Sequence, residues 1–151
     1  MPCVVIIEDG NEYEEFARAF LTDFDIRAAH SAQEALATLA AIEGEADAHC
    51  AGLLVDLRFE RSAVVDLVGD VAEEARRRFG GDRHRAVRHL KEQQGTLILA
   101  ELRARGHAMV AVFVHDFSPR RLANLRRLYG AVEAVPSFDA AAIRSAFGAA
   151  P

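Results

Sequence analysis

Lysine is almost missing from this chain. Of 18 basic residues only Lys91 is a lysine, so any site that needs an ammonium group must use that residue or do without one. Cysteine is scarce as well. Cys3 and Cys50 each open an apolar segment and are expected to be buried, reduced thiols. No Cys or His spacing matches a metal-ligand pattern, which excludes a zinc-finger type of site. No apolar run approaches the roughly 18 residues of a membrane-spanning helix, and no basic-then-apolar leader stands at the N-terminus. A cytoplasmic protein without membrane attachment is the expectation. Repeats and low-complexity tracts are absent too.

What remains is the composition of an ordinary core-forming domain, 151 residues with 51% hydrophobic and 27% charged. One domain spanning 1–151 is expected. The net charge of −5 hides an asymmetry. Residues 1–56 carry 12 acidic and 2 basic residues, whereas residues 57–151 carry 11 acidic and 16 basic ones. The basic part is too dilute to argue for nucleic acid.

Two short apolar runs end in acid. Val4-Val5-Ile6-Ile7 leads into Glu8-Asp9, and Leu53-Leu54-Val55 leads into Asp56. Both read as buried parallel strands, because they are short, β-branched or leucine-rich, and do not alternate. Ligand crevices of open parallel sheets lie beyond the carboxyl ends of the strands. Three carboxylates at two such ends would form a hard-oxygen site for a divalent cation such as Mg²⁺.

The rest of the chain alternates strand and helix. Cys3–Ile7 is the first strand. Asn11 and Glu14 form a capping box for a helix with Phe16, Ala17, Phe20 and Leu21 on its apolar face. A second strand lies near Ile26–Ala29. Ser31 and Glu34 make another capping box, before a helix buried through Ala35, Leu36, Leu39 and Ile42. Gly44 to His49 is a polar connection, and Gly52–Val55 is the third strand. Gly95–Arg105 is helical and ends at Gly106; Met109–Val114 is the fourth strand. Ser118-Pro119 starts a helix with Leu122, Leu125 and Leu128 inward, which Gly130 closes. Ala131–Val135 is the fifth strand, and a last helix runs from about Asp139 to Phe147. The fold class is therefore α/β, a doubly wound five-stranded parallel sheet of (βα)₅ order.

Residues 58–94 interrupt this order. Val64, Val68, Val71, Ala72, Ala75 and Phe79 recur at helical spacing, Gly80-Gly81 breaks the pattern, and Asp82–Gln93 can form a second helix. A helical insert at the rim of the crevice is expected. Its Arg76-Arg77-Arg78, Arg83, His84, Arg85, Arg88 and His89 form a basic surface, partly balanced by Asp66, Asp70, Glu73 and Glu74. That surface is either a solvated helix face or a partner-docking surface or lid, and Arg120, Arg121, Arg126 and Arg127 invite the same two readings. The stripe Val64–Phe79 packs on the domain or on a second copy in a homodimer.

With these residues in place, the chain resembles the receiver domain of bacterial two-component response regulators, a flavodoxin-like fold, over nearly its whole length apart from the insert. Ile6-Ile7-Glu8-Asp9, Leu54-Val55-Asp56, Gly95 with Leu97-Ile98-Leu99 and Leu102-Arg103, Val112-Phe113-Val114 and Gly130-Ala131 carry the resemblance. The resemblance implies that Asp56 accepts a phosphoryl group from a histidine kinase or phosphotransfer protein. It implies Mg²⁺ bound directly by Asp9, through water or by placement with Glu8, and by the backbone carbonyl of Arg58. It also implies an acceptor with at most weak autophosphatase activity rather than an enzyme, and a stand-alone receiver, since the chain ends at Pro151, whose output is protein contact.

Several positions depart from that pattern. The hydroxyl residue usual at the end of the fourth strand is His115, a candidate replacement that could donate as an imidazolium. Pro136 stands where the lysine at the end of the fifth strand belongs, and Glu133 occupies the aromatic switch position. The proline-containing loop after the acceptor is replaced by the insert, from which an arginine could reach the site. Losing the ammonium removes a charge-assisted contact to phosphate. Two readings stay open: an atypical receiver phosphorylated on Asp56, and a pseudo-receiver that acts as an interaction module without phosphorylation. A small Mg²⁺-dependent phosphatase would need an aspartate two residues after Asp56, where this chain has Arg58.

Overall fold

The computed structural model describes residues 1–148; Pro151, on which the stand-alone expectation rests, lies outside them. Five strands run through the molecule: β1 (Cys3–Ile7), β2 (Asp25–Ala29), β3 (Cys50–Val55), β4 (Ala111–Val114) and β5 (Val132–Val135). All neighbours are parallel, in the order β2-β1-β3-β4-β5. Seven α-helices connect or extend them: α1 (Glu12–Phe20), α2 (Ala32–Glu43), α3 (Val71–Arg78), α4 (Arg83–Glu92), α5 (Gln94–Ala104), α6 (Pro119–Tyr129) and α7 (Ala140–Ala146).

Strand alternation divides the core in two. Cys3, Val5 and Ile7 point to the face covered by α2, α5 and α6, where they meet Leu39, Ile98 and Leu125. Val4 and Ile6 point to the face covered by α1 and α7, where they meet Leu21 and Ile143. β1 is wholly buried because both faces are covered, which is why its sequence is an unbroken apolar run. Each buried Val or Ile there contributes about 2 kcal/mol of transfer free energy. Cys3 and Cys50 are free thiols, and burial pushes both upward, Cys50 to about 11. Among the described residues no helix is long and apolar enough to cross a membrane.

Two local expectations need correction. Asn11 occupies the N-cap position of α1 but makes no cap bond; its amide donates to Glu15 at 3.1 Å. Ser31, by contrast, accepts from the Glu34 N–H at 3.1 Å as its capping box requires. The insert is also not one continuous stripe followed by a second helix. Val64–Asp66 forms only a 3-10 turn, and Gly69, at φ +116°, redirects the chain before Asp70 caps α3. Val65 is left 88% exposed, while Val68 and Ala75 turn inward.

The insert is tied firmly to the sheet end. The buried Gln94 side chain accepts from the Val68 N–H at 2.7 Å and donates to the Val68 and Leu90 carbonyls at 3.2 Å each. Phe59 is buried, and its N–H donates to the Lys91 carbonyl at 2.8 Å. α5 starts so close to the end of β3 that a Cβ on Gly95 would collide with the Asp56 carbonyl oxygen; the Gly95 N–H donates to the Leu57 carbonyl at 2.9 Å. Only glycine permits that approach.

Candidate functional site

Adjacent parallel strands bring the acids together. The Asp56 N–H, just beyond β3, donates to the Ile7 carbonyl at the end of β1 at 2.9 Å, so Asp9 and Asp56 flank one crevice. They open into a pocket of about 320 Å³, at the carboxyl end of the sheet where ligands of doubly wound folds bind. Glu12 of α1 and Glu60 of the insert add to its acidic wall, Arg58 and Arg61 form its basic rim, and Tyr13 with Phe138 closes one side. Larger cavities lie elsewhere, one of about 660 Å³ beside Arg27 among them. Volume does not mark this site; its convergent carboxylates do.

Asp56 is the perturbed group of the crevice. Burial raises its carboxyl to about 6, and the charges of Asp9 and Glu8 push the same way, against bonds from the Arg58 N–H and the Tyr13 hydroxyl. Those two donors both reach Asp56 Oδ1, each at 3.4 Å. Asp9 Oδ2 accepts from the Arg61 N–H at 2.7 Å.

Glu8 is brought to the crevice end of β1 but does not enter the pocket. It is 1% exposed, and its two carboxylate oxygens accept from the N–H groups of Tyr13 and Glu14 at 3.0 and 2.8 Å. It caps α1, the role that the capping-box reading gave to Asn11, and its negative charge suits a helix N-terminus. Burial holds its pKa above the ordinary value despite those bonds. Asp9 and Asp56 line the pocket while Glu8 stands behind them, and no group of three His, Cys, Asp or Glu side chains arranged for a metal ion occurs among the described residues.

His115 lies beyond the end of β4 but outside the pocket lining. Its ring packs edge-on against Phe117 at 4.6 Å. Burial, with the nearby charges of Arg121 and Arg58, lowers its pKa, so the imidazolium needed for donation to phosphate is disfavoured at neutral pH. Lys91 does not line the pocket; its Nζ donates to the carbonyl of Glu60, which does, at 3.3 Å. Arg61 does arrive from the insert. Its guanidinium pairs with Glu12 at 2.8 Å and lies over Gly10, where any Cβ would collide with it. Glu133, at the switch position, pairs with Arg126 at 2.9 Å.

Tyr13 carries no functional signal in the sequence. It lies one turn before the apolar stripe of α1 and reads as an ordinary helix residue. Its ring packs edge-on against Phe138 at 4.8 Å, and burial, followed by the charge of Asp56, raises its hydroxyl pKa well above the usual range.

No family model matches the chain, and no curated protein sequence matches it significantly. Solved structures do. The Francisella response regulator 1452 receiver domain superposes with a TM-score of 0.56 at 14% identity, covering 98% of each chain. A two-component response regulator from Legionella pneumophila gives 0.56 at 14% identity over 98% of this chain and 96% of the other. A CheY-like receiver domain protein from Methanospirillum hungatei JF-1 gives 0.55 at 11% identity over 96% and 89%. Identities this low speak for the fold alone. In its five-stranded parallel sheet, its two helical layers and its end-to-end superposition, the chain has the fold of response regulator receiver domains.

Proposed function

We propose that this protein is an atypical receiver in signal transduction that accepts a phosphoryl group on Asp56 and delivers its output by protein contact. The observation that carries this reading is Asp56 itself: a half-buried carboxylate at the end of β3, beside Asp9, in a crevice open to solvent. A phosphohistidine of a kinase or phosphotransfer protein is the donor class. An Asp56 oxygen attacks phosphorus, the new O–P bond forms, and the P–N bond breaks with its electron pair going to the imidazole nitrogen. The chain then acts as an acceptor with at most weak hydrolysis of its own phosphate, in the cytoplasm.

The donor set suits Mg²⁺, since Asp9, Asp56 and the Arg58 carbonyl offer hard oxygens in a crevice with surplus negative charge. Bound there, the ion would neutralise charge on the phosphoryl oxygens. Asp9 would hold it, and Glu8 would support the site from behind by fixing α1.

A second reading, a phosphorylation-independent interaction module, is favoured by one specific feature. Neither strand end on the β4–β5 side supplies a group to the pocket: His115 faces Phe117, and Pro136 is not among the lining residues. Intact mass after incubation with an acyl phosphate and Mg²⁺ separates the readings. The receiver gains one phosphoryl group, and loses that gain in Asp56→Asn or without Mg²⁺. A folded wild-type protein with no gain gives the interaction module.

A further inference from the structure

We infer that Tyr13 is a positioning residue that fixes the Asp56 carboxylate so that Oδ2 is the attacking oxygen. The inference rests on the reading of Asp56 as phosphoacceptor. Its ground is an asymmetry between the two carboxylate oxygens. Oδ1 receives both donors, the Tyr13 hydroxyl and the Arg58 N–H, each at 3.4 Å. Among the described residues no donor bonds Oδ2, yet no buried side-chain oxygen lacks a partner, so Oδ2 is left to solvent in the crevice. A nucleophile needs a free lone pair aimed at its target, and the oxygen without donors has one.

Tyr13 is held to this task from three sides. Its N–H is fixed by Glu8 at 3.0 Å. Its ring lies against Phe138. Its hydroxyl also reaches the Val114 carbonyl at 3.5 Å, so its one proton is shared between the end of β4 and Asp56. That location matters: the residue next to Val114 is His115, whose ring turns away to Phe117. A hydroxyl thus stands at the end of β4 although the β4 chain itself provides none. In the transfer, the Oδ2–P bond forms as the bond from phosphorus to the leaving atom breaks, its electron pair going to the imidazole nitrogen of a phosphohistidine or to the acetate oxygen of acetyl phosphate. Before attack, the two donors on Oδ1 hold the carboxylate plane against rotation.

The test is Tyr13→Phe, which keeps the ring and removes only the hydroxyl. Single-turnover phosphorylation by acetyl phosphate with Mg²⁺ is followed by intact mass across donor concentrations. The expected result is a maximal rate about tenfold lower, the effect of one hydrogen bond to a charged group, with an unchanged donor KM and an unchanged thermal midpoint. A purely structural role would move the midpoint, or rate and KM together, and would overturn the inference. Equal rates in both proteins would overturn it as well, while leaving Asp56 as acceptor. A wild-type protein that takes no phosphate would overturn both, since there is then no attack to orient.

Discussion

The two halves of the sheet's carboxyl edge have gone different ways. On the β1–β3 side, Asp9 and Asp56 face one crevice, Glu8 anchors the helix beside them, and Gly95 permits the close approach that shapes the wall. On the β4–β5 side, the residues after the strand ends stay out of the crevice: His115 packs on Phe117, and Pro136 is not part of the lining. The arginines work at the other, amino end of those strands, where Arg126 pairs with Glu133 and Arg103 donates to the carbonyls of Tyr129, His107, Met109 and Ala131 at 2.7–2.9 Å. Arg103 has no carboxylate partner there, and burial lowers its pKa. The difference teaches that the strand-end carboxylates of the crevice come from the β1–β3 half alone.

The sharpest way to break the comparison is to change one residue on each side. Asp56→Asn is expected to abolish phosphoryl uptake outright, and Glu133→Gln to leave it unchanged, both read by intact mass. A loss in Glu133→Gln would show that the two sides act together. Next in size is stability. Arg103→Met strips four carbonyls of their donor and is expected to cost about 3 kcal/mol in denaturant unfolding. Gly95→Ala forces a Cβ onto the Asp56 carbonyl and is expected to cost about 2 kcal/mol on the other side.

A pH series sharpens the contrast further. The Asp56 carboxyl is raised from 3.8 to about 6 in the folded protein. Its folded form therefore holds a proton that the unfolded chain releases, so its stabilising share is full below about pH 4 and lost as pH rises through 6. Asp56→Asn should stabilise the protein at pH 8 by about 2 kcal/mol relative to wild type, and not at pH 4, as read by thermal unfolding. An equal effect at both pH values would mean that the carboxyl is not buried. The smallest effect separates two caps. Glu8→Ala should cost about 1 kcal/mol and Asn11→Ala close to nothing, because only Glu8 bonds the first turn of α1.

The strands were legible because each is a short apolar run with a fixed period, and their ends located Asp9 and Asp56. Right-handed crossovers imply a doubly wound sheet, but the pairing order β2-β1-β3-β4-β5 comes from the structure alone. The partners of the site were not legible either. Glu8 reads as a ligand because it follows an apolar run and adjoins Asp9, but its direction is set by two free N–H groups of α1, which the spacing does not reveal. Asn11 and Glu14 match a capping box, yet Glu8 reaches those N–H groups first. Tyr13, Phe138 and Arg61 come from three separate segments, and only packing brings them to Asp56. Within the insert, Val64 fits a helical period that Gly69 then breaks, since its positive φ ends one segment before Asp70 starts the next.

The single lysine has a practical consequence. Beyond the α-amino group, the chain offers one primary amine, at Lys91, whose Nζ rests 3.3 Å from the Glu60 carbonyl and whose own carbonyl holds Phe59. An amine-reactive fluorophore would therefore attach at only two places, the α-amino group and Lys91, and the dye at Lys91 would report on the segment between Asp56 and α5 without an introduced cysteine.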